Sequence, residues 1–138
     1  MARRSSSGVT LIELILVVAI IGMLLTVAVP NLMKSRDAAD SAVAMGQLRS
    51  MHTNQSMYRI QSGRYARLAE LNTFSNRALG RTVGSTIRHR DFIFMMFPTP
   101  TDTSLRSGYQ IIAYRIRQGR VVSQYQMDEG GSIRTVLP

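Results

Sequence analysis

The sequence predicts an α+β fold: a long N-terminal α-helix, one half membrane-spanning and the other amphipathic, packed against a small C-terminal antiparallel β-sheet. Three patterns predict it. Seventeen of the 21 residues from Val9 to Val29 are apolar, and no ionisable side chain occurs from Leu14 to Met33; about 20 apolar residues are what a helix needs to cross a bilayer. Further on, Ala44, Leu48, Met51, Gln55 and Tyr58 recur at i, i+4, i+7, i+11 and i+14, one stripe of an amphipathic helix. The last third alternates apolar and polar positions between glycine-bearing turns, the period of half-buried strands. At 138 residues the chain suits one domain of ordinary size.

The first element admits three readings. Arg3 and Arg4 supply the basic flank of a removable secretory signal, with Thr26-Val27-Ala28 as a loose small-residue cleavage site, yet the apolar run exceeds the usual 7–15 residues. A plain anchor with its N-terminus inside explains the run and the arginines but leaves Glu13 without a role. A carboxylate in hydrocarbon costs about 2.5–3.5 kcal/mol on insertion scales, so an acid there calls for a partner. The third reading, cleavage close to the acid, accounts for both features.

That third reading is carried by Gly8-Val9-Thr10-Leu11-Ile12-Glu13-Leu14, which follows a short basic leader and precedes the apolar run. This stretch resembles the class III signal of type IV pilins and of type II secretion pseudopilins. The resemblance implies that residues 1–8 are a leader which prepilin peptidase removes after Gly8, and that the new terminus, Val9, is N-methylated. It also implies assembly roles for Glu13, Gly22 and Pro30, which stand where family members place an acid, a glycine and a proline. Val9 departs from the family's usual phenylalanine. The implied partners are further copies of the chain in a helical homopolymer, the peptidase and an inner-membrane assembly platform. The implied location is the inner membrane, single-pass, and then a periplasmic or extracellular filament. On this reading Glu13 pairs with the free α-amino group of a neighbouring subunit and so selects the stagger of the helices, since a buried pair fixes register better than it adds stability. The alternative is a carboxylate at the membrane surface favouring a helix N-terminus by about 0.3–1 kcal/mol.

The helix continues past the apolar run. Pro30 removes one backbone donor and is expected to kink or loosen the rod without ending it. Ala38, Ala39, Ala42 and Ala44 keep the next section slim and helix-prone. From Val9 to Arg59 the helix would span about 76 Å at 1.5 Å per residue, more than twice one bilayer core. Gly63 supplies the stop. The division expected is therefore 1–8 leader, 9–30 transmembrane and assembly helix, 31–62 amphipathic helix, and 63–138 a globular β-sheet head.

Within the head, Gly63 to Leu71 resembles the segment after the first helix of pilins, where an aromatic and a leucine pair fold the chain back. Phe92 to Phe97 reads as a buried strand closed by Pro98. Tyr109 to Arg117 reads as a strand with Ile112, Tyr114 and Ile116 on the apolar side and Ala113, Arg115 and Arg117 on the solvated side. Gln118-Gly119 turns it into Val121–Met127, and Asp128-Glu129-Gly130-Gly131 turns that into a last strand from Ser132. Tyr125 to Thr135 looks like the closing hairpin of cysteine-free pilins. A head of 76 residues without staples has a thin core, so the helix stripe is expected to supply the missing half.

Composition argues against a catalyst. There is no cysteine, hence no thiolate site. His52 and His89 are far apart in sequence, His52 expected on the polar helix face and His89 in a solvated basic loop with Arg88 and Arg90. No cofactor and no metal are expected, the pair Asp128 and Glu129 being too few oxygens for calcium, which takes 6–8. Residues 63–138 hold eleven Arg against five acids, so DNA is a possible partner, although these arginines are spread along the sequence. The function expected is a structural subunit of a type IV pilus or pilus-like filament. The alternatives are a type II secretion pseudopilin, a DNA-uptake pilin, or, from a different class, an anchored periplasmic binding module.

Overall fold

The structure, a computed structural model, describes residues 9–137; the expected leader 1–8, with Gly8 as the expected cleavage position, lies outside the described residues. Helix α1 runs from Leu11 to Ser62, 52 residues, with Pro30 inside it. The chain divides into two compact units, up to Ala38 and from Ala39 onward.

The first unit is the apolar part of α1. It starts where Thr10 caps it: the Thr10 Oγ1 accepts the Glu13 backbone N–H at 3.3 Å and the Thr10 carbonyl accepts the Leu14 N–H at 3.2 Å. Thr-x-x-Glu is a helix-start signature, and it places Glu13 in the first turn.

The second unit contains the rest of α1, two short helices and a six-stranded sheet. After α1, α2 spans Leu68–Phe74 and α3 spans Ser104–Ser107; the strands are β1 Arg81–Val83, β2 Thr86–His89, β3 Phe92–Met96, β4 Gln110–Arg117, β5 Arg120–Asp128 and β6 Ile133–Leu137. Every neighbouring pair is antiparallel and the spatial order is the sequence order. Such a meander needs only tight turns. Gly63 ends α1 with φ +74°, donating its N–H to the Arg59 carbonyl, as a helix-terminating glycine does.

The core lies between the α1 stripe and one face of the sheet. Ala44, Leu48 and Met51 are buried with Ile87, Phe92, Phe94, Met96, Ile111, Ala113, Tyr125 and Met127, and Leu68, Leu71 and Leu105 close its edges. Gln55 is buried and Tyr58 half-buried, so the expected stripe is the one used.

Three sequence expectations change. The face of β4 is the reverse of the expected one: Ile111, Ala113 and Arg115 point inward, while Ile116 and Arg117 are exposed. Ala113 sits opposite both Phe94 on β3 and Tyr125 on β5, so a small residue is required between two rings, and apolarity alone does not reveal that. His89 closes β2, pairing with Phe92, instead of lying in a loop. His52 is half-buried against the sheet, not on a polar face. The edge hairpin β1–β2 carries no sequence signal, because β1 is three exposed residues without alternation.

Candidate membrane and assembly segment

The candidate site on the first unit is a surface, not a pocket. Every residue from Val9 to Arg36 is exposed, and none of the most apolar stretch is covered by protein. Leu11 (76%) and Met23 (77%) are as open as Val9 (72%). A helix apolar on all sides belongs in a bilayer or among other helices. Its polar groups satisfy themselves: the Thr26 hydroxyl donates to the Met23 carbonyl at 2.7 Å and the Ser35 hydroxyl to the Asn31 carbonyl at 3.0 Å, as hydroxyls do where water is absent. Pro30 lacks the N–H that the Thr26 carbonyl would otherwise accept. An added Cβ at Gly22 meets nothing within 4 Å, so nothing inside the subunit requires a glycine there. Glu13 is exposed on the first turn.

In the second unit, polar contacts pin α1 to the sheet. Asp40 Oδ2 meets the Arg115 guanidinium at 3.2 Å, and that guanidinium, 4% exposed, also donates to the Ser123 Oγ at 3.3 Å and lies 5.4 Å from the centre of the Phe92 ring. The signal for Asp40 was available, because it extends the stripe one step back at i, i+4 from Ala44. Toward the other end, the Gln55 amide donates to the Ala66 carbonyl and accepts the Ala66 N–H, both at 2.8 Å. His52 Nδ1 and the Tyr109 hydroxyl share a 2.9 Å hydrogen bond. Burial, then the nearby Tyr65, Glu129 and Asp128, push that hydroxyl well above the usual tyrosine range. At the chain reversal, Glu70 accepts two bonds from Arg64 and one from the Arg67 N–H, each 2.9 Å. The Arg64 bonds hold its carboxyl below the ordinary range.

The C-terminal acids serve the turn. Asp128 Oδ1 accepts the N–H groups of Gly130 and Ser132, each at 3.1 Å. Among the described residues, no group of three or more His, Asp or Glu comes together to hold a metal ion.

The arginines are not spread in space as they are in sequence. Antiparallel pairing gathers Arg81, Arg88, Arg115, Arg117 and Arg120 at one end of the sheet, with Arg90 in the β2–β3 turn there and Asp40 bonded to Arg115. The opposite end holds Arg67, Arg106 and Arg134 with Asp102, Asp128 and Glu129.

The helix is long and apolar enough to cross a membrane, carries one acid in its first turn, and has a small sheet packed on its continuation. A family model described as the prokaryotic N-terminal methylation motif matches residues 3–29. The chain is 35% identical over 65 residues to the type II secretion system core protein G of Aeromonas hydrophila, covering 47% of this chain and 46% of that protein. It is 38% identical over 65 residues to the protein of the same name in Pseudomonas aeruginosa, with the same coverage. Against the type IV wide pilus major component PilA4 of Thermus thermophilus it is 40% identical over 62 residues, 45% of this chain and 47% of the relative. The chain spans about half the length of the relatives it matches. Over somewhat less than half of its own length the chain is similar to type II secretion core protein G and to a type IV pilus component.

Proposed function

We propose that the chain is a structural, non-catalytic subunit of a type IV pilus or pilus-like filament. Prepilin peptidase removes residues 1–8 after Gly8 and methylates the amine of Val9. The segment 9–30 holds the subunit in the inner membrane, and an assembly platform then draws it into a helical polymer of identical subunits. In the polymer the side chains of Leu11 to Val29 exchange lipid for neighbouring helices. Gly22 lets two of them approach closely, and Glu13 meets the amine of a neighbour. The observation that carries this reading is the apolar surface from Val9 to Met33, left open all around by a subunit whose other apolar stripe is fully used.

Mass spectrometry of the chain from cells that contain a prepilin peptidase tests the first step. The expected species starts at N-methylated Val9; an intact Met1–Pro138 mass would refute processing. Electron microscopy of sheared surface material tests the second.

The likeness to type II secretion core protein G favours one alternative, a pseudopilin whose filament stays in the periplasm. Deleting the gene separates the two: loss of surface filaments indicates a pilus, whereas secreted enzymes retained in the periplasm indicate a pseudopilin.

A further inference from the structure

Between α2 and β1, wholly inside the second unit, lies a pocket of about 390 Å³, a volume within the range of small-ligand sites. Its walls are Asn72 and Thr73 of α2, Arg77 and Gly80 of the loop that follows, and Arg81 and Thr82 of β1. Two arginines line it and no acid does.

The loop is held in shape from inside. Asn72, buried, spends its whole amide on it: Nδ2 donates to the Gly80 carbonyl and to the Thr82 Oγ1, each at 2.8 Å, and Oδ1 accepts the Leu79 N–H at 3.2 Å. The Arg77 N–H donates to the Asn72 carbonyl. Gly80 leaves its wall bare, because a Cβ there would sit 2.6 Å from the Arg88 carbonyl oxygen. Asn76 and Arg77 both take left-handed backbone, with φ +55° and +62°, a conformation that costs a residue with a side chain energy and that gathers at ligand sites. Glycine would adopt it freely, yet the chain places an arginine there.

The groups around the pocket are donors without acceptors. The Thr82 oxygen takes a proton from Asn72, so its own hydroxyl proton is left to give, and among the described residues nothing accepts it. Nor does any acid among them pair with Arg77 or Arg81, whereas Arg64 makes two 2.9 Å bonds to Glu70 and Arg67 meets Asp102 at 2.8 Å. Arg81 also stands directly opposite Arg88 in the strand register, like charges that weaken a strand pair and that a bound anion would offset. Two guanidinium groups and a hydroxyl match the acceptor-rich geometry of phosphate, and their double positive charge matches a phosphomonoester, which carries about −1.5 to −2 near pH 7. The remaining wall is small and uncharged, which leaves room for the polar group that carries the phosphate.

We propose that the pocket between α2 and β1 binds a small soluble phosphomonoester of sugar-phosphate size, with Arg77 and Arg81 holding the phosphate and Thr82 donating to it. The site is complete within the second unit, so it stands whether or not the chain polymerises.

Calorimetric titration of the full chain in detergent with glucose 6-phosphate, and with glucose as the uncharged control, tests it. The expected result is one saturable site for glucose 6-phosphate and none for glucose. Arg81→Gln should weaken binding at least about tenfold, the least that losing a charge-assisted hydrogen bond costs, and Arg134→Gln on β6 should leave it unchanged. Arg77→Gly should weaken it as much while raising the Tm of the unliganded chain, since the left-handed strain disappears with the side chain; a loss of binding in a more stable protein is not a loss of fold. The absence of saturable binding at millimolar concentrations would overturn the site, as would undiminished binding by Arg77→Gly or an equal loss in Arg134→Gln, which would reduce the effect to overall charge. Binding to vesicles containing phosphatidic acid but not to glucose 6-phosphate would move the phosphate to a lipid headgroup and overturn the soluble ligand. A labelled DNA duplex whose binding is abolished by Arg77→Gly and Arg81→Gln, with glucose 6-phosphate inert, would overturn it in favour of nucleic acid.

Discussion

Gln55 offers the sharpest test of how the head is fastened to its helix. Its side chain is fully buried and makes two 2.8 Å bonds to the backbone of Ala66, itself fully buried. Gln55→Leu keeps the volume and removes both bonds, so the Ala66 N–H and C=O are left without partners. Each orphaned group costs about 1–3 kcal/mol, and the extra apolar burial of leucine returns about 1 kcal/mol. The expected net loss is about 1–5 kcal/mol, or roughly 4–40 °C in Tm for a unit of this size. Near-UV circular dichroism of the full chain in detergent reads it, because all five tyrosines and no tryptophan report on the head. A loss under about 1 kcal/mol would refute the reasoning. Gln55→Glu supplies the pH control. Its ionised form keeps the bond from the Ala66 N–H but turns a second acceptor toward the Ala66 carbonyl. Burial and that oxygen favour the protonated form, raising the folded-state pKa above the unfolded one, so the variant should gain stability as pH falls. A pH-independent deficit would exclude that account.

Other expectations follow from single contacts. The Glu70 carboxyl is held below the ordinary range by Arg64; its stabilisation should be complete above the unfolded carboxylate pKa and fade as pH falls through the lower folded one. Glu70→Gln should flatten that acid limb by about 1 kcal/mol or less, because the pair is about one-third exposed, and an unchanged pH profile in denaturant titrations would contradict the assignment. Gly131 has φ +77°, and an added Cβ would sit 2.9 Å from the His52 Nε2. Gly131→Ala should cost about 2–3 kcal/mol from backbone strain and overlap, and combining it with His52→Ala should cost less than the sum of the two; strict additivity in a double-mutant cycle would argue against contact. Glu13→Ala should leave a stable membrane protein that assembles poorly, and filaments of wild-type yield in sheared fractions would rule out the pairing role.

The sequence reveals those parts of the fold that a repeating pattern encodes. The apolar run and the stripe from Ala44 to Tyr58 place α1, and the turns at Gln118-Gly119 and Asp128–Gly131 place β4, β5 and β6. What stays hidden depends on partners distant in sequence. Arg115 reads as solvated because nothing near it in the chain announces Asp40, 75 residues away, and Ala113 faces inward for the sake of two rings on other strands. The clustering of arginines is equally a product of pairing, since Arg81, Arg88 and Arg120 become neighbours only when the meander closes. The exposed apolar helix from Leu11 onward is a local pattern, so it is legible in the sequence without any tertiary information.

The two polar clasps on α1, Asp40 with Arg115 and Gln55 with Ala66, stand 15 residues apart, about 22 Å along the helix. Between them the Gln47 amide donates to the Leu79 carbonyl at 2.8 Å and His52 bonds the Tyr109 hydroxyl; the remaining contact is apolar and has little preference for one axial position over another. A slip of one turn, about 5.4 Å, would keep oil against oil but would open both clasps at once and strand Gln55 and Arg115 in the core. The polar contacts therefore act as a vernier: apolar packing gives adhesion, and polar marks spaced along the helix from Asp40 to Gln55 give alignment. When a subunit is pulled along its own axis, that contact is loaded in shear, and the polar marks along the helix share the load.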